Sequence, residues 1–330
     1  MLHVVIYCRH QFYNWGWIKS QKGKIKTIVI GNLNIGGTGK TPFSIFMIQQ
    51  LSAKFQLSFL SRGYGRKTKG ILKINENHGP DEVGDEPLLI QRKNITIPCY
   101  VGENRINAIE QIAQSEQPID WVILDDAFQH RSLIPDIAII LTRWDELFID
   151  DTLWPVGNLR DIKSSIQRTD AIIITATPDG LSTQDMREKR ERFRTIFPGP
   201  VFFAQTTILA LKPLFPHLSS QPEWPVGSFC GIAKPQPFFD FLSKDFSLEK
   251  TIVFPDHHAF SQQDLKKLSG ELVNFGGKLK SWITTEKDAI RIQDDPHWSG
   301  MPIYYLPIET SIHPEDQKEW NQWLNQQLTK

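Results

Sequence analysis

The sequence predicts an α/β protein: a mostly parallel sheet with helices on both faces, joined to a second, smaller α/β domain. Three observations carry this. Short β-rich runs alternate with helical patterns along most of the 330 residues, the mark of βαβ units. One strand-to-helix junction, "TIVIGNLNIGGTGKTPFSIFMIQQL", is rich in glycine and passes through Lys-Thr. A stretch rich in Pro and Ser, "LALKPLFPHLSSQPEWP", interrupts the alternation and marks a joint. The expected domains are residues 1–210 and 211–330.

The elements follow in order. "KTIVIG" reads as a strand, "TPFSIFMIQQLSAKF" as a helix and "LSFLSRG" as a strand ending in a glycine turn. "DEPLLIQRK" reads as a helix, "IPCYVG" as a strand and "NRINAIEQIAQS" as a helix. "DWVILDD", "DIAIILT", "AIIITA" and "VFFAQT" are strands, and "TQDMREKRERFRTIF" is a charged amphipathic helix. After the joint, the strands "VGSFCGI", "TIVF", "SWITT" and "PIYYLPI" alternate with the helices "PQPFFDFLSK", "SQQDLKKLSGELVNF", "EKDAIRI" and "EDQKEWNQWLNQQL". The cleft between two such layers is a common place for a ligand.

Composition narrows the classes. A hydrophobic share of 40% and a charged share of 22% suit a globular chain with a real core. Lys+Arg and Asp+Glu balance at 37 each, so no global field argues for nucleic acid. Cys8, Cys99 and Cys230 have no metal or redox spacing, which fits a reducing cytosol. No apolar run approaches the roughly 20 residues that span a bilayer. The N-terminus, "MLHVVIYCRHQFYNWGWIKSQKGKIK", mixes Tyr7, Phe12, Tyr13, Trp15 and Trp17 with Arg9, Lys19, Lys22, Lys24 and Lys26. Aromatics with bases suit a membrane interface. Read alone, the segment is a first helix packed on the domain, followed by a solvated basic linker.

The glycine-rich junction matches the phosphate-loop pattern G-x-x-x-x-G-K-[ST] except at its first position. Asn34 stands there, and Gly36, Gly37, Thr38, Gly39, Lys40 and Thr41 follow. Backbone N–H groups of such a loop, with the helix N-terminus, attract phosphate oxygens. Lys40 would reach the β- and γ-phosphates of a nucleotide and Thr41 would hold Mg²⁺. This makes the first domain a P-loop NTPase-type sheet.

"WVILDDAFQH" places Asp125 and Asp126 at the C-terminal end of a buried strand, with His130 four residues on. Ligands bind at that edge of open α/β sheets, and one carboxylate there can hold Mg²⁺. "VGDEPLLI" puts Asp85 at a helix start, where capping is the default reading. In "FPDHHAF", His257 and His258 point to different sides. A histidine oriented by an aspartate can act as a base or phosphate donor; alone, a surface turn is the safer reading. Arg62 in "LSRGYGR" and Arg160 in "WPVGNLRD" suit bidentate phosphate contact or a surface ion pair equally.

Taken in order, "GNLNIGGTGKTP", "SRGYGR", "GDEP", "DDAFQH", "PVGNLRD", "FPDHH" and "TTEKDA" closely resemble the tetraacyldisaccharide 4'-kinase family, the lipid A 4'-kinases. The likeness runs from about Tyr7 to near Leu306. It implies transfer of phosphate from ATP, with Mg²⁺, to the 4'-hydroxyl of a tetraacylated glucosamine disaccharide 1-phosphate, giving lipid IVA. It implies nucleotide and metal roles for Lys40 and Thr41, a metal-site pair in Asp125 and Asp126, and a catalytic base in Asp85 with His257 as partner. Arg62, Arg105, His130 and Arg160 match polar positions lining the cleft. The loop without its first glycine is a family trait. Two departures stand out: Ala127 and Phe128 inside the aspartate motif, and Asp161 where the family has Glu. The resemblance also implies a lipid substrate in the membrane, a monomer, and a peripheral position on the cytoplasmic face of the bacterial inner membrane. It turns the N-terminal segment towards membrane contact.

Two rivals use a similar loop. An ATP-dependent ligase would activate a soluble acid, and a switch NTPase would answer to a protein partner. A GTPase needs an N/T-K-x-D motif, but in "TTEKDAI" Lys287 sits directly beside Asp288. Thr285 and Asp288 read as a capping box instead.

Overall fold

The computed structural model describes residues 2–94, 96–274 and 279–330. A nine-stranded sheet has the order Ile308–Ile312, Val201–Ile208, Ala171–Thr175, Ile137–Arg143, Lys26–Asn32, Trp121–Asp125, Leu57–Ser61, Cys99–Val101, Leu72–Lys73. Its inner strands run parallel and both edge strands antiparallel. Strand period and burial explain the sequence pattern. In Lys26–Asn32, Ile28 and Ile30 enter one core while Val29 enters the other. Ile139 and Ile140 divide the same way. Successive side chains point to opposite faces, so a sheet covered on both faces needs continuous apolar strands. Phe43, Met47 and Leu51 of the helix Lys40–Leu51 cover one face. Ile109 and Ile112 of Arg105–Ile112, with Phe193 of Thr183–Arg194, cover the other.

The smaller sheet has the order Lys212–Pro213, Ile303–Leu306, Ser281–Thr285, Val226–Cys230, Leu248–Val253. Phe229, Trp282 and Leu268 fill the core on one side; Ile283, Tyr304 and Leu242 fill the other.

The end of the chain differs from expectation. Residues 308–330 were expected in the smaller domain. Ile308–Ile312 instead pairs antiparallel with Val201–Ile208, in register from Ala204 opposite Ile312. The helix Gln317–Leu328 then buries Trp320, Trp323, Leu324 and Leu328 against the larger core. Trp320 meets Phe202 edge-on at 5.3 Å and Phe43 at 6.0 Å. The apolar stripe of this helix completes a face of the larger sheet that the helix Lys40–Leu51 leaves open.

The N-terminal helix is Leu2–Asn14. Val4, Val5, Tyr7, Phe12, Trp15 and Trp17 are exposed around it, with the Phe12 and Trp17 rings stacked at 5.3 Å. The basic linker after it is not simply solvated: Gln21–Lys22 pairs in parallel with Leu133–Ile134, and Lys22 meets Asp136 at 2.8 Å.

Candidate active site

The phosphate loop begins at Asn32, the last residue of its strand. Asn32 Nδ2 donates to the Asn34 carbonyl at 2.9 Å, and its Oδ1 accepts from Lys40 Nζ at 3.3 Å and from the Arg160 guanidinium. Gly36 and Gly39 take positive φ, 106° and 82°, which is where glycine is needed. The loop rests on the segment before Arg160: Ile35 N–H donates to the Asn158 carbonyl at 2.6 Å, and Arg160 N–H to the Leu33 carbonyl at 2.8 Å. No side chain caps the helix at Lys40, so its first N–H groups stay available to an anion. The Thr38 hydroxyl and Asn34 Oδ1 are buried without a partner. Asn34, in the first-glycine position, donates to Asp151 Oδ2 at 3.1 Å.

The two aspartates are handled differently. Asp126 takes a positive φ of 52°, which turns it to Arg160: the guanidinium bridges both carboxylate oxygens, one at 2.9 Å. Lys40 Nζ lies 3.5 Å away. Burial acts to raise the Asp126 carboxyl, but the Arg160 hydrogen bonds and Lys40 outweigh it and hold it below the usual carboxylate range. Asp125 is fully buried and its Oδ1 has no partner. Burial, with Glu86 nearby, pushes its carboxyl up to about 7 against the pull of Lys40. Phe128 is buried directly against Gly31, where a Cβ would come within 2.5 Å of the Phe128 Cβ. Glycine in the strand thus makes room for this ring, and Arg168 covers it at 4.2 Å.

A cationic group lies beside the aspartates. Burial pulls Arg105 down to about 10, with Arg62 adding to the effect and Asp126 opposing it. Burial lowers His130 to about 4, helped by Arg105, Arg9 and Arg62. His130 Nε2 and Arg105 Nε are buried without partners. Arg62 itself is exposed.

The second cluster joins the two sheets. Asp85 is not a helix cap: Gly84, at φ 89°, precedes the helix Asp85–Lys93, and the Asp85 carboxylate points across to the smaller sheet's elements. Its Oδ2 lies 3.0 Å from His257 Nδ1 and accepts from Arg291 Nε at 2.8 Å. Lys287 donates to Glu86 at 2.9 Å and approaches His257 Nε2 at 3.3 Å. A lysine ammonium only donates, so Nε2 accepts and Nδ1–H donates to Asp85. Burial opposes ionisation of Asp85, but His257, Lys287 and Arg291 together hold it well below the usual range. Among the described residues three non-glycines have positive φ, and Asp126 and His257 are two of them. Such backbone persists where surroundings over-determine it. His258 turns away, stacked on Phe254 at 4.7 Å and 3.0 Å from Asp264.

Sequence reasoning missed Arg291, Lys287 and Glu86. A signal existed: Lys287 and Arg291 stand four apart in the helix Glu286–Ile292 and so share a face. The expected Thr285–Asp288 box forms only in part. Thr285 caps the Asp288 N–H at 3.1 Å, while the Asp288 carboxylate takes Gly231 N–H at 3.0 Å and Arg291 at 2.8 Å. Asp161 turns away from the phosphate loop to His10.

A family model described as LpxK, tetraacyldisaccharide-1-P 4'-kinase, matches residues 1–329. The chain belongs to this family. A tetraacyldisaccharide 4'-kinase of Bacteroides thetaiotaomicron is 33% identical, the match covering 97% of this chain and 89% of that protein. One of Flavobacterium johnsoniae is 34% identical over 92% of this chain and 88% of its own length. The crystal structure of LpxK from Aquifex aeolicus in complex with ATP superposes with a TM-score of 0.75 at 25% identity, covering 99% of this chain and 96% of that one. The fold is therefore the family's, with its P-loop sheet and smaller α/β layer.

The Asp85–Arg291 pair carries a stability prediction. Both side chains are nearly buried, at 6% and 5% exposure. Arg291→Ala takes the guanidinium from a buried carboxylate and leaves it His257, Lys287 and the Glu86 N–H, so the cost is expected below the roughly 3–5 kcal/mol of a fully broken buried pair. Urea unfolding of Arg291→Ala is expected to give a midpoint well below that of the unsubstituted chain. An unchanged midpoint would mean that the pair is solvated in solution.

Proposed function

We propose that this chain transfers the γ-phosphoryl group of ATP to the 4'-hydroxyl of a tetraacyldisaccharide 1-phosphate, yielding lipid IVA for lipopolysaccharide. The observation that carries it is the 3.0 Å pairing of Asp85 with His257 across the two sheets, in a molecule that also holds a formed phosphate loop. Membership of the family supports the substrate class, and the ATP complex of the Aquifex aeolicus protein supports the nucleotide.

Phosphoryl transfer is mostly positioning and charge neutralisation. The loop segment Asn34, Gly36, Gly37, Thr38 and Gly39 surrounds the phosphates with N–H groups, and Lys40 meets their outer charge. Arg160 braces the loop through Asn32 and Asp126. Mg²⁺ fits the donors present: Asp125 offers a buried oxygen without a partner, and Thr41 a hydroxyl in the first helical turn. Asp125 and Thr41 would hold the ion, with Asp126 beside them in its bridge to Arg160. The ion would supply charge neutralisation at the phosphates. Asp85, ionised and held by His257, accepts the proton of the attacking hydroxyl. The ring keeps its Nδ1 proton and orients the carboxylate. Arg62 and Arg105 supply the cationic charge of a wall for the anionic disaccharide, and His130 adds a polar group that burial keeps uncharged near neutral pH. Residues 211–307 close the cleft, bringing His257 and Arg291 to Asp85.

The acyl chains remain in a bilayer, so the enzyme works at its surface, peripherally on the cytoplasmic face of the inner membrane and as a monomer. No described helix is long and apolar enough to cross a membrane. The exposed aromatics and bases of residues 4–26 suit the interface instead. Deleting residues 1–20 is expected to reduce sedimentation with anionic vesicles; undiminished sedimentation would sink the membrane reading.

The functional test mixes purified protein, labelled ATP, Mg²⁺ and detergent-dispersed tetraacyldisaccharide 1-phosphate. Label is expected in a bisphosphorylated lipid. ATP binding without labelled lipid would overturn the substrate and favour the ligase reading.

A further inference from the structure

The N-terminal helix meets the rest of the molecule through a buried histidine. His10 is 5% exposed and Asp161 2%. His10 Nε2 lies 2.6 Å from Asp161 Oδ1. Its other nitrogen, Nδ1, lies 2.9 Å from the Arg131 guanidinium. Arginine only donates, so Nδ1 accepts and Nε2–H donates to Asp161. Both ring nitrogens are thus used. Arg131 also donates to the His10 carbonyl at 3.0 Å and to Asn14 at 3.0 Å.

Both ends of this chain of contacts are active-site segments. Asp161 directly follows Arg160, whose guanidinium holds Asp126 and Asn32. Arg131 directly follows His130, and the neighbouring Gln129 donates to the Asn32 carbonyl at 2.9 Å. Arg9 donates to the Gln129 carbonyl at 2.9 Å. Asp161 is further fixed by Ile162 N–H at 2.8 Å and faces Arg168 at 3.5 Å. Adjacent Cα atoms are about 3.8 Å apart, so a shift of Asp161 carries Arg160 with it. The outer side of the same helix bears the exposed Val4, Val5 and Tyr7.

We propose that His10 is a positioning residue: through Asp161 it sets the Arg160 guanidinium on Asp126 and Asn32, so that the seating of the N-terminal helix controls the geometry of the phosphate site. This rests on the reading of that site as a lipid kinase centre. It links the membrane-facing helix to phosphoryl transfer through one imidazole. His10→Leu fills the space but can neither accept from Arg131 nor donate to Asp161. His10→Gln can do both, through its amide oxygen and nitrogen.

In the full chain, His10→Leu is expected to lower kcat about 10- to 100-fold, the scale of a small misplacement. KM for ATP stays within about twofold. His10→Gln recovers most of the loss, a rescue that a packing role would not give. In an Arg160→Ala background, His10→Leu costs nothing further, because coupled residues are non-additive. An unchanged kcat in His10→Leu, no recovery in His10→Gln, or a loss that multiplies with Arg160→Ala would each overturn the proposal. A substrate-free readout separates this proposal from the functional one. The Arg160 Nε–H resonance, assigned by its disappearance in Arg160→Ala, shifts in His10→Leu and returns in His10→Gln. A resonance indifferent to His10 overturns the coupling even if lipid is labelled. A wild-type chain that labels no lipid overturns the functional reading and leaves this resonance to decide the coupling. Asp161→Leu, of similar shape but without an acceptor for His10 Nε2–H, replaces His10→Leu if that variant does not fold, with the same expected shift.

Discussion

Asp85→Asn lowers kcat by roughly 10²–10⁴-fold, the usual contribution of a general base, and leaves ATP affinity within about twofold. Asparagine keeps the shape but cannot take the hydroxyl proton. Asp85 is held by His257 and Arg291, whereas Lys40 is held by Asn32 and Asp126. Binding and proton transfer are therefore separable. Lipid labelling measures the first effect and calorimetric ATP titration the second. His257→Ala follows in the same direction, since it removes the donor that orients the carboxylate. Near-normal turnover in Asp85→Asn would remove Asp85 from the role of base. Acid unfolding gives a further check on the same variant. The folded-state pKa of Asp85 is depressed, so its ion-pair stabilisation is complete above the unfolded carboxylate value of about 3.9. It is lost as pH falls through the lower, folded value. Wild type should therefore lose this stability only in strong acid, and Asp85→Asn should lack that part of the acid decline.

Lys40→Ala abolishes measurable lipid labelling. Removing one preorganised charge donor from a developing anion costs roughly 10²–10³ in kcat, and loss of ATP affinity compounds it. The fold should survive, because Asp126 keeps its bridge to Arg160 and the loop keeps its backbone contacts with Asn158 and Leu33. An unaltered circular dichroism spectrum with absent labelling is the expected pair of results. Labelling at the wild-type rate would show that the loop lysine does not meet the transferred phosphate.

Much of the candidate site was legible because its signals are local. Gly36 and Gly39 occupy positive-φ positions, as a phosphate loop requires, and the helix begins at Lys40, where Lys-Thr predicts it. Asp125 closes a buried strand, as the run "WVILDD" implies. The opposite aims of His257 and His258 follow from their adjacency. Other expectations were local guesses that distant contacts displaced. Asp85 reads as a cap beside its own helix, but a glycine takes that duty and Arg291, 206 residues away, takes the carboxylate. Asp288 reads as half a box, and Thr285 does cap its N–H, but its carboxylate also reaches Gly231, 57 residues away, instead of closing the box.

Sequence alone determined the alternating elements, the phosphate loop, the strand-end aspartates and the order of motifs that marks the family. Each element and motif depends on residues within one turn, one strand or one loop, where backbone preference and side-chain period act directly, and their order is read along the chain. Tertiary structure decided which strand and helix from the far end of the chain complete the larger sheet. It also decided that Arg291 and Lys287 hold the Asp85–His257 pair, and that His10 reaches Asp161 across 151 residues. No period or spacing encodes such pairings, because they depend on where separate elements cross once both faces of the sheet are buried.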